Sequence, residues 1–277
     1  MLLVADTHVH LYPCYDLYAA LLYGFDNLQH LAHTVGWANS ADVLKVLFLT
    51  ERHDCEIFNG LAQGRCIHPG FSIEPSDEGG ALWVNFRQRP GRLLIVAGRQ
   101  IVTQEKLELL ALAMPEKIQD GSPIFQAIEE VLARGGVPVL NWSPGKWFGK
   151  RGRKVKELIK LSSKDRFLVG DIGMRPKIWG EPILFALARR SGFRLAAGSD
   201  PLPFKGEERN IGSFGVVAEA EISNQVVVTD LRRFLWDAKW KIVGRRDSLG
   251  GMLRRQWLNR KVRKAQGMFS CLNKVIS

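Results

Sequence analysis

Leu2-Leu3-Val4-Ala5-Asp6-Thr7-His8-Val9-His10 is the stretch whose reading decides the fold class. Four apolar residues run into alternating polar ones, the pattern of a buried strand whose C-terminal end carries function. Side chains two apart on a strand project to the same side, so His8 and His10 can share one ion. Imidazole nitrogen and carboxylate oxygen suit zinc, manganese or iron. A His-x-His pair alone is a common coincidence. Its position at the end of the first apolar run, with Asp6 two residues earlier, gives it weight.

Outward from this strand, apolar runs alternate with helical patterns. Leu17, Leu21, Leu22, Phe25, Leu28 and Leu31 recur at helical spacing within residues 15–35, and Val43–Thr50 reads as a second strand. Residues 81–87, 93–102 and 106–112 read as strands. A helix over Pro123–Arg134 stops at Gly135-Gly136. Strand 137–140, a basic helix near 153–163, strand 166–170, a helix near 181–191 and strand 194–197 follow. The alternation predicts an α/β fold with a mostly parallel sheet, a closed barrel or an open doubly wound sheet. Residues 1–229 form the expected domain, and 230–277 a basic helical extension packed on it.

With 46% hydrophobic and 24% charged residues in a chain of 277, the composition is that of a globular domain. The absence of a long apolar run excludes a transmembrane helix. Four scattered cysteines (Cys14, Cys55, Cys66, Cys271) argue against a disulfide framework and a Cys-rich zinc site. The start has no basic leader and reads as strand, so the expected location is cytoplasmic. The net charge of +11 is unevenly placed: residues 1–140 hold 10 Lys+Arg against 16 Asp+Glu, residues 141–277 hold 29 against 12. All six histidines (His8, His10, His30, His33, His53, His68) precede residue 69. Any metal site must therefore take its imidazoles from the N-terminal part and its other ligands from carboxylates or amides.

Polar residues recur where apolar strands stop: Asp6, His8 and His10, then Glu51 and His53, then Arg99 and Gln100, then Asn141, Asp171 and Asp200. In a parallel barrel such strand ends open on one face, where loops assemble an active site. Singly, Asp171 and Asp200 also read as caps or turn carboxylates.

Asp6-Thr7-His8-Val9-His10, Leu49-Thr50-Glu51-Arg52-His53-Asp54, Gly98-Arg99-Gln100-Ile101 and Gly198-Ser199-Asp200 together resemble the ordered motifs of the PHP (polymerase and histidinol phosphatase) family over residues 2–215. The His-x-His opening and late aspartate are shared more distantly with the metal-dependent amidohydrolase barrels. The resemblance implies a distorted TIM-like (β/α)7-8 barrel with two or three metal ions at its strand ends, and phosphoester hydrolysis. Several positions depart from the PHP pattern. Glu51 stands where the family has aspartate, Arg52 where it has histidine, and Gln100 where it has a metal-binding glutamate. Asn141-Trp142-Ser143-Pro144 replaces Ala-His-Pro, and no histidine follows Asp200 by two. The remaining set of His8, His10, Glu51, His53, Asp171 and Asp200 is expected to hold one or two divalent ions, with Asp200 as the catalytic base or final ligand.

The loop from Asn141 to Lys154 combines glycines, two tryptophans and five cations (Lys146, Lys150, Arg151, Arg153, Lys154), without Walker spacing. With Arg99, Asn141, Arg175 and Arg209, Lys146 is expected to bind an anionic small-molecule substrate at the barrel mouth. Residues 230–264 hold 12 Lys+Arg against 3 Asp+Glu around an apolar stripe. That segment reads as helices packed on the barrel, or as a surface for nucleic acid or an anionic membrane. The expected function is a metal-dependent phosphoester hydrolase. The alternative is a catalytically inactive barrel serving as an anion- or nucleic-acid-binding scaffold.

Overall fold

The computed structural model of the chain describes residues 1–37, 42–66 and 68–266, with side chains to residue 262. The opening run becomes β1 (Leu2–Val9), buried throughout. Burial on both faces still obeys the two-residue period: Leu2 and Val4 enter one apolar cluster, Leu3 and Ala5 another. β2 (Val43–Leu49) pairs parallel with β1 and divides the same way, Leu47 and Leu49 opposite Val46 and Phe48. Between them runs α1 (Leu17–Thr34), where Asp16 Oδ1 accepts the Ala19 N–H as N-cap. Its buried Leu21, Phe25, Leu28 and Leu31 lie three or four apart and face the strands.

After α2 (Ile57–Ala62) come β3 (Phe71–Pro75), β4 (Ala81–Phe86), β5 (Arg92–Val96), β6 (Gly98–Val102) and β7 (Glu108–Leu112). Then α3 (Ile124–Ala133), β8 (Val137–Asn141), α4 (Gly149–Leu161), β9 (Leu168–Ile172), α5 (Ile183–Arg190) and β10 (Leu195–Gly198) alternate. β11 (Phe214–Glu219), α6 (Val227–Asp237), β12 (Lys241–Gly244) and α7 (Leu249–Gln266) complete the described chain. The segment expected as a basic helical extension from residue 230 thus holds most of α6, the strand β12 and α7. Its residues 267–277 lie outside the described residues.

The strands form two open sheets, ordered β12-β11-β1-β2-β5-β4-β3 and β10-β9-β8-β7-β6. The expected closed TIM-like barrel is not found among the described residues. Two features overturn it. The run read as one strand over 93–102 is two strands, β5 in the larger sheet and β6 in the smaller, and the chain changes sheets at Ala97-Gly98. In addition, β3 to β7 follow one another with no α-helix between them and pair antiparallel at β3–β4, β4–β5 and β6–β7. A closed parallel barrel needs a crossover after every strand.

Helices α1 and α2 cover the outer face of the larger sheet, and α3, α4 and α5 that of the smaller. A third cluster lies between the sheets: Phe48, Val96 and Val216 from one meet Leu110, Val139 and Leu168 from the other. Each such fully buried side chain contributes about 1.5–3 kcal/mol. Val227, Leu231 and Leu235 of α6 join that cluster, and Arg232 donates to the Ala113 carbonyl. Ala113 follows β7 beside the start of β8, so α6 sits at the end of the core away from Asn141.

The sheets touch along two seams. At one, Glu51 bridges Arg99, with Glu51 N–H donating to Gly98 O and Gln100 N–H to Glu51 O. At the other, Asp200 N–H donates to His8 O at 3.0 Å. Each seam has a glycine for which any side chain would collide. A Cβ on Gly98 would stand 2.3 Å from Leu49 O, and one on Gly198 2.3 Å from His8 N.

Candidate metal centre

The site grows from the end of β1. Between Asp6 and Val9, β1 takes three steps while β2 takes two, a bulge that re-aims the side chains there. Asp6 does not point at an ion. Its buried carboxylate accepts N–H bonds from His8 (3.1 Å), Ser199 (2.9 Å) and Gly212 (2.9 Å), fastening three separate segments. Burial pushes its pKa up to about 6 even against those bonds.

Asp200 follows β10 in the left-handed region at φ 48°. Aspartate tolerates that conformation better than most residues, and the bond to His8 O holds it there. The result is a convergence of three side chains. His8 Nε2 and His10 Nε2 lie 3.0 Å apart, and Asp200 Oδ1 lies 3.6 Å from the first and 3.7 Å from the second. Metal bonds of about 2.0–2.2 Å place tetrahedral neighbours about 3.3–3.6 Å apart. The observed 3.0, 3.6 and 3.7 Å bracket that range, so a shift of about a few tenths of an ångström, parting the two imidazoles, lets the three atoms hold one ion with a fourth position left to water or substrate.

The electrostatics agree with that donor set. Burial, helped by His8 and Arg52, holds His10 well below its ordinary pKa, which keeps the ring neutral as a metal ligand must be. The Thr50 backbone and the Gln100 side chain hydrogen-bond to it and fix its orientation. Burial and the negative Glu108 push Asp200 up, opposed by His8. A cation among these groups would remove the penalty on the buried carboxylate.

Glu108 is the neighbour that the sequence reading missed. At the start of β7 it pairs across from Asn141 at the end of β8. It accepts from Asn141 Nδ2 (3.3 Å), Lys146 Nζ (2.5 Å) and the Ser143 hydroxyl. Burial opposes its charge, but Lys146 and Ser143 outweigh it and hold the pKa down. Its signal was an antiparallel register, which no local motif announces.

The structure does not bring the other expected ligands to the triad. Glu51 is buried against Arg99 Nη1 at 2.9 Å and accepts Phe58 N–H at 2.8 Å. Asp171 is buried in a two-pronged pair with Arg175, at 2.7 and 2.6 Å. His53 is 62% exposed, 3.4 Å from Asp120. Of the expected anion-binding residues, Arg99 also donates to Pro115 O and Cys55 O, and Arg175 to Gly180 O, so both guanidinium groups are occupied inside the fold. Arg209 is exposed on the 3-10 turn Glu207–Asn210. Asn141 and Lys146 stand at the Glu108 cluster. Among the described residues, only His8, His10 and Asp200 group as potential metal ligands, all ligand atoms within 4.8 Å of one another.

No protein-family model matches this chain, and no curated protein sequence matches it. Solved structures do. PsfC from Pseudomonas syringae PB-5123 has a TM-score of 0.56 at 15% identity, over 95% of this chain and 98% of that one. The lesion-specific endonuclease PfuEndoQ from Pyrococcus furiosus has 0.51 at 9% identity, over 87% of this chain and 58% of that one. At these identities the likeness is one of fold.

Proposed function

We propose that this chain is a PHP-like, metal-dependent hydrolase of an anionic ester, a phosphoester above all. The observation that carries the reading is the convergence of His8 Nε2, His10 Nε2 and Asp200 Oδ1 at the seam of the two sheets. A divalent ion bound there supplies Lewis-acid polarisation of the ester and a water pKa lowered toward about 7. The protein's own residues do the rest. Asp6 holds the backbone on both sides of the seam, Thr50 and Gln100 set the His10 ring, and Asp200 is the carboxylate ligand. Lys146 and Asn141 keep N–H donors beside the triad that recognise an anionic group, with Glu108 holding both in place. One protein of similar fold is an endonuclease, a phosphodiester-cleaving activity, which supports the ester class.

The test is metal analysis of protein produced with zinc, manganese and iron supplied in turn, alongside His8→Ala and His10→Ala. Hydrolysis of p-nitrophenyl phosphate and of its bis ester is assayed in parallel. The expectation is about one ion per chain in the wild type, lost in both variants together with hydrolysis. Substoichiometric metal under every supplement would sink the metalloenzyme reading and leave an anion-binding scaffold. Gln100, in place of a carboxylate beside His10, is the observation that favours that second reading.

A further inference from the structure

We infer that α7, with the adjoining loop before α5, is a docking surface for an anionic lipid bilayer. The helix has two distinct faces. Met252 and Asn259 are buried, and Arg255 reaches inward to Glu207 at 2.6 Å and Asp247 at 3.0 Å. Residues four apart lie about 40° apart around a helix, so Leu249, Leu253 and Trp257 form one stripe on the other face. All three are exposed, at 41%, 58% and 55%. Arg254, Arg260 and Lys261 are exposed beside this stripe, and the helix has no acidic residue from 249 to 266.

The apolar exposure continues onto a second element. Lys177 N–H donates to Asp247 O and Asp247 N–H to Gly173 O, both at 2.8 Å, joining the loop after β9 to the start of α7. Close to that junction in sequence, Ile178 is 78% exposed and Ile183 87%. Aliphatic side chains beside cations, with Glu181 of the loop paired to Arg189 at 2.7 Å, match the interface of an anionic membrane, where methylenes enter the acyl boundary and cations meet headgroups. They match nucleic acid less well. Four of the six exposed apolar residues are aliphatic and offer no stacking face; of the two tryptophans, Trp257 has Lys261 Nζ 3.8 Å over its ring and Trp179 packs edge-to-face with Trp142. No described helix is long and apolar enough to cross a membrane, so the attachment is peripheral. The surface does not use the triad, and the inference stands apart from the hydrolase reading.

The experiment is sedimentation of the full chain with vesicles of phosphatidylcholine alone or with about 30% phosphatidylserine, at about 0.1 M salt and at several times that. The expected result is binding to the anionic vesicles only, weakened by salt. Leu253→Ser with Trp257→Ala is expected to weaken it at least about tenfold. Arg254→Glu with Lys261→Glu, which leaves the apolar stripe intact, weakens it comparably. All four positions are exposed, so the native fold is retained, as circular dichroism would verify. The double variant His8→Ala, His10→Ala binds vesicles as the wild type does. Absence of binding, equal binding to neutral vesicles, or binding unchanged in both surface variants overturns the inference. So does binding only to a single- or double-stranded oligonucleotide that the same variants abolish.

Discussion

Two sets of buried acidic residues lie at the same end of the two sheets and differ in what balances their charge. At Glu51 and Asp171 an arginine does so, Arg99 at 2.9 Å and Arg175 at 2.6 Å; Phe58 N–H takes the other oxygen of Glu51, and Ile172 N–H adds to Oδ1 of Asp171. At Asp200 the immediate partners are two imidazoles, one of them kept neutral, and the nearby Glu108 adds negative charge. The first arrangement is complete within the protein and cements the fold. In the second, three donor atoms meet, and the cations Arg255 and Lys146 act on the Asp200 carboxylate through charge alone. A carboxylate at a strand end is thus a candidate ligand or a structural anchor according to whether an arginine pairs with it.

The largest effect that tests this contrast is on stability. Asp171→Asn leaves Arg175 buried without its partner and is expected to cost about 3–5 kcal/mol in chemical denaturation. Metal affinity of the folded protein should stay close to that of the wild type. Retained stability with lost metal would reverse the assignment of the two carboxylates. Next in size, Asp200→Asn or His8→Ala should weaken zinc or manganese binding at least about 100-fold, about 2.7 kcal/mol, in calorimetric titration. By the same linkage, metal at about 100 times its Kd should stabilise the wild type by about 2.7 kcal/mol, and a chelator should remove that increment. Asp6→Ala should cost about 3 kcal/mol, since three buried N–H groups lose their acceptor at about 1–3 kcal/mol each while the burial penalty on the carboxylate is relieved. It should also weaken metal binding by misplacing both sides of the seam. His53→Ala, at an exposed position, should change stability by less than about 0.5 kcal/mol and leave metal binding unaltered.

Local elements were largely legible in the sequence. β1, α1 and β2 follow from apolar periodicity, and the helices α3 and α5 and strands β8 to β10 fall close to where spacing and glycine stops place them. The missed elements are short or atypical. β3 has only Phe71 buried, and β12 is an edge strand of four residues. The run 93–102 is apolar apart from Arg99 and Gln100, and no local motif shows that the chain enters another sheet at Gly98. The reason for a glycine there is Leu49 O, which approaches from β2, far back along the chain, and Ala111 O on the next strand.

The site divides in the same way. His8 and His10 were readable because a two-residue spacing fixes their common side, and Asp200 because it follows a strand. Glu108 was not readable, since its relation to Asn141 exists only once β7 and β8 pair antiparallel. The sequence by itself determined which residue types stand at strand ends, and so which donors are available. Tertiary structure alone decided which of them are free to act. Asp171 and Asp200 are chemically identical aspartates, and only the arrival of Arg175 beside one and of two imidazoles beside the other separates an anchor from a candidate ligand. Such pairing is settled by electrostatic contact in a low-dielectric interior, which depends on distances in space and not on neighbours in the chain.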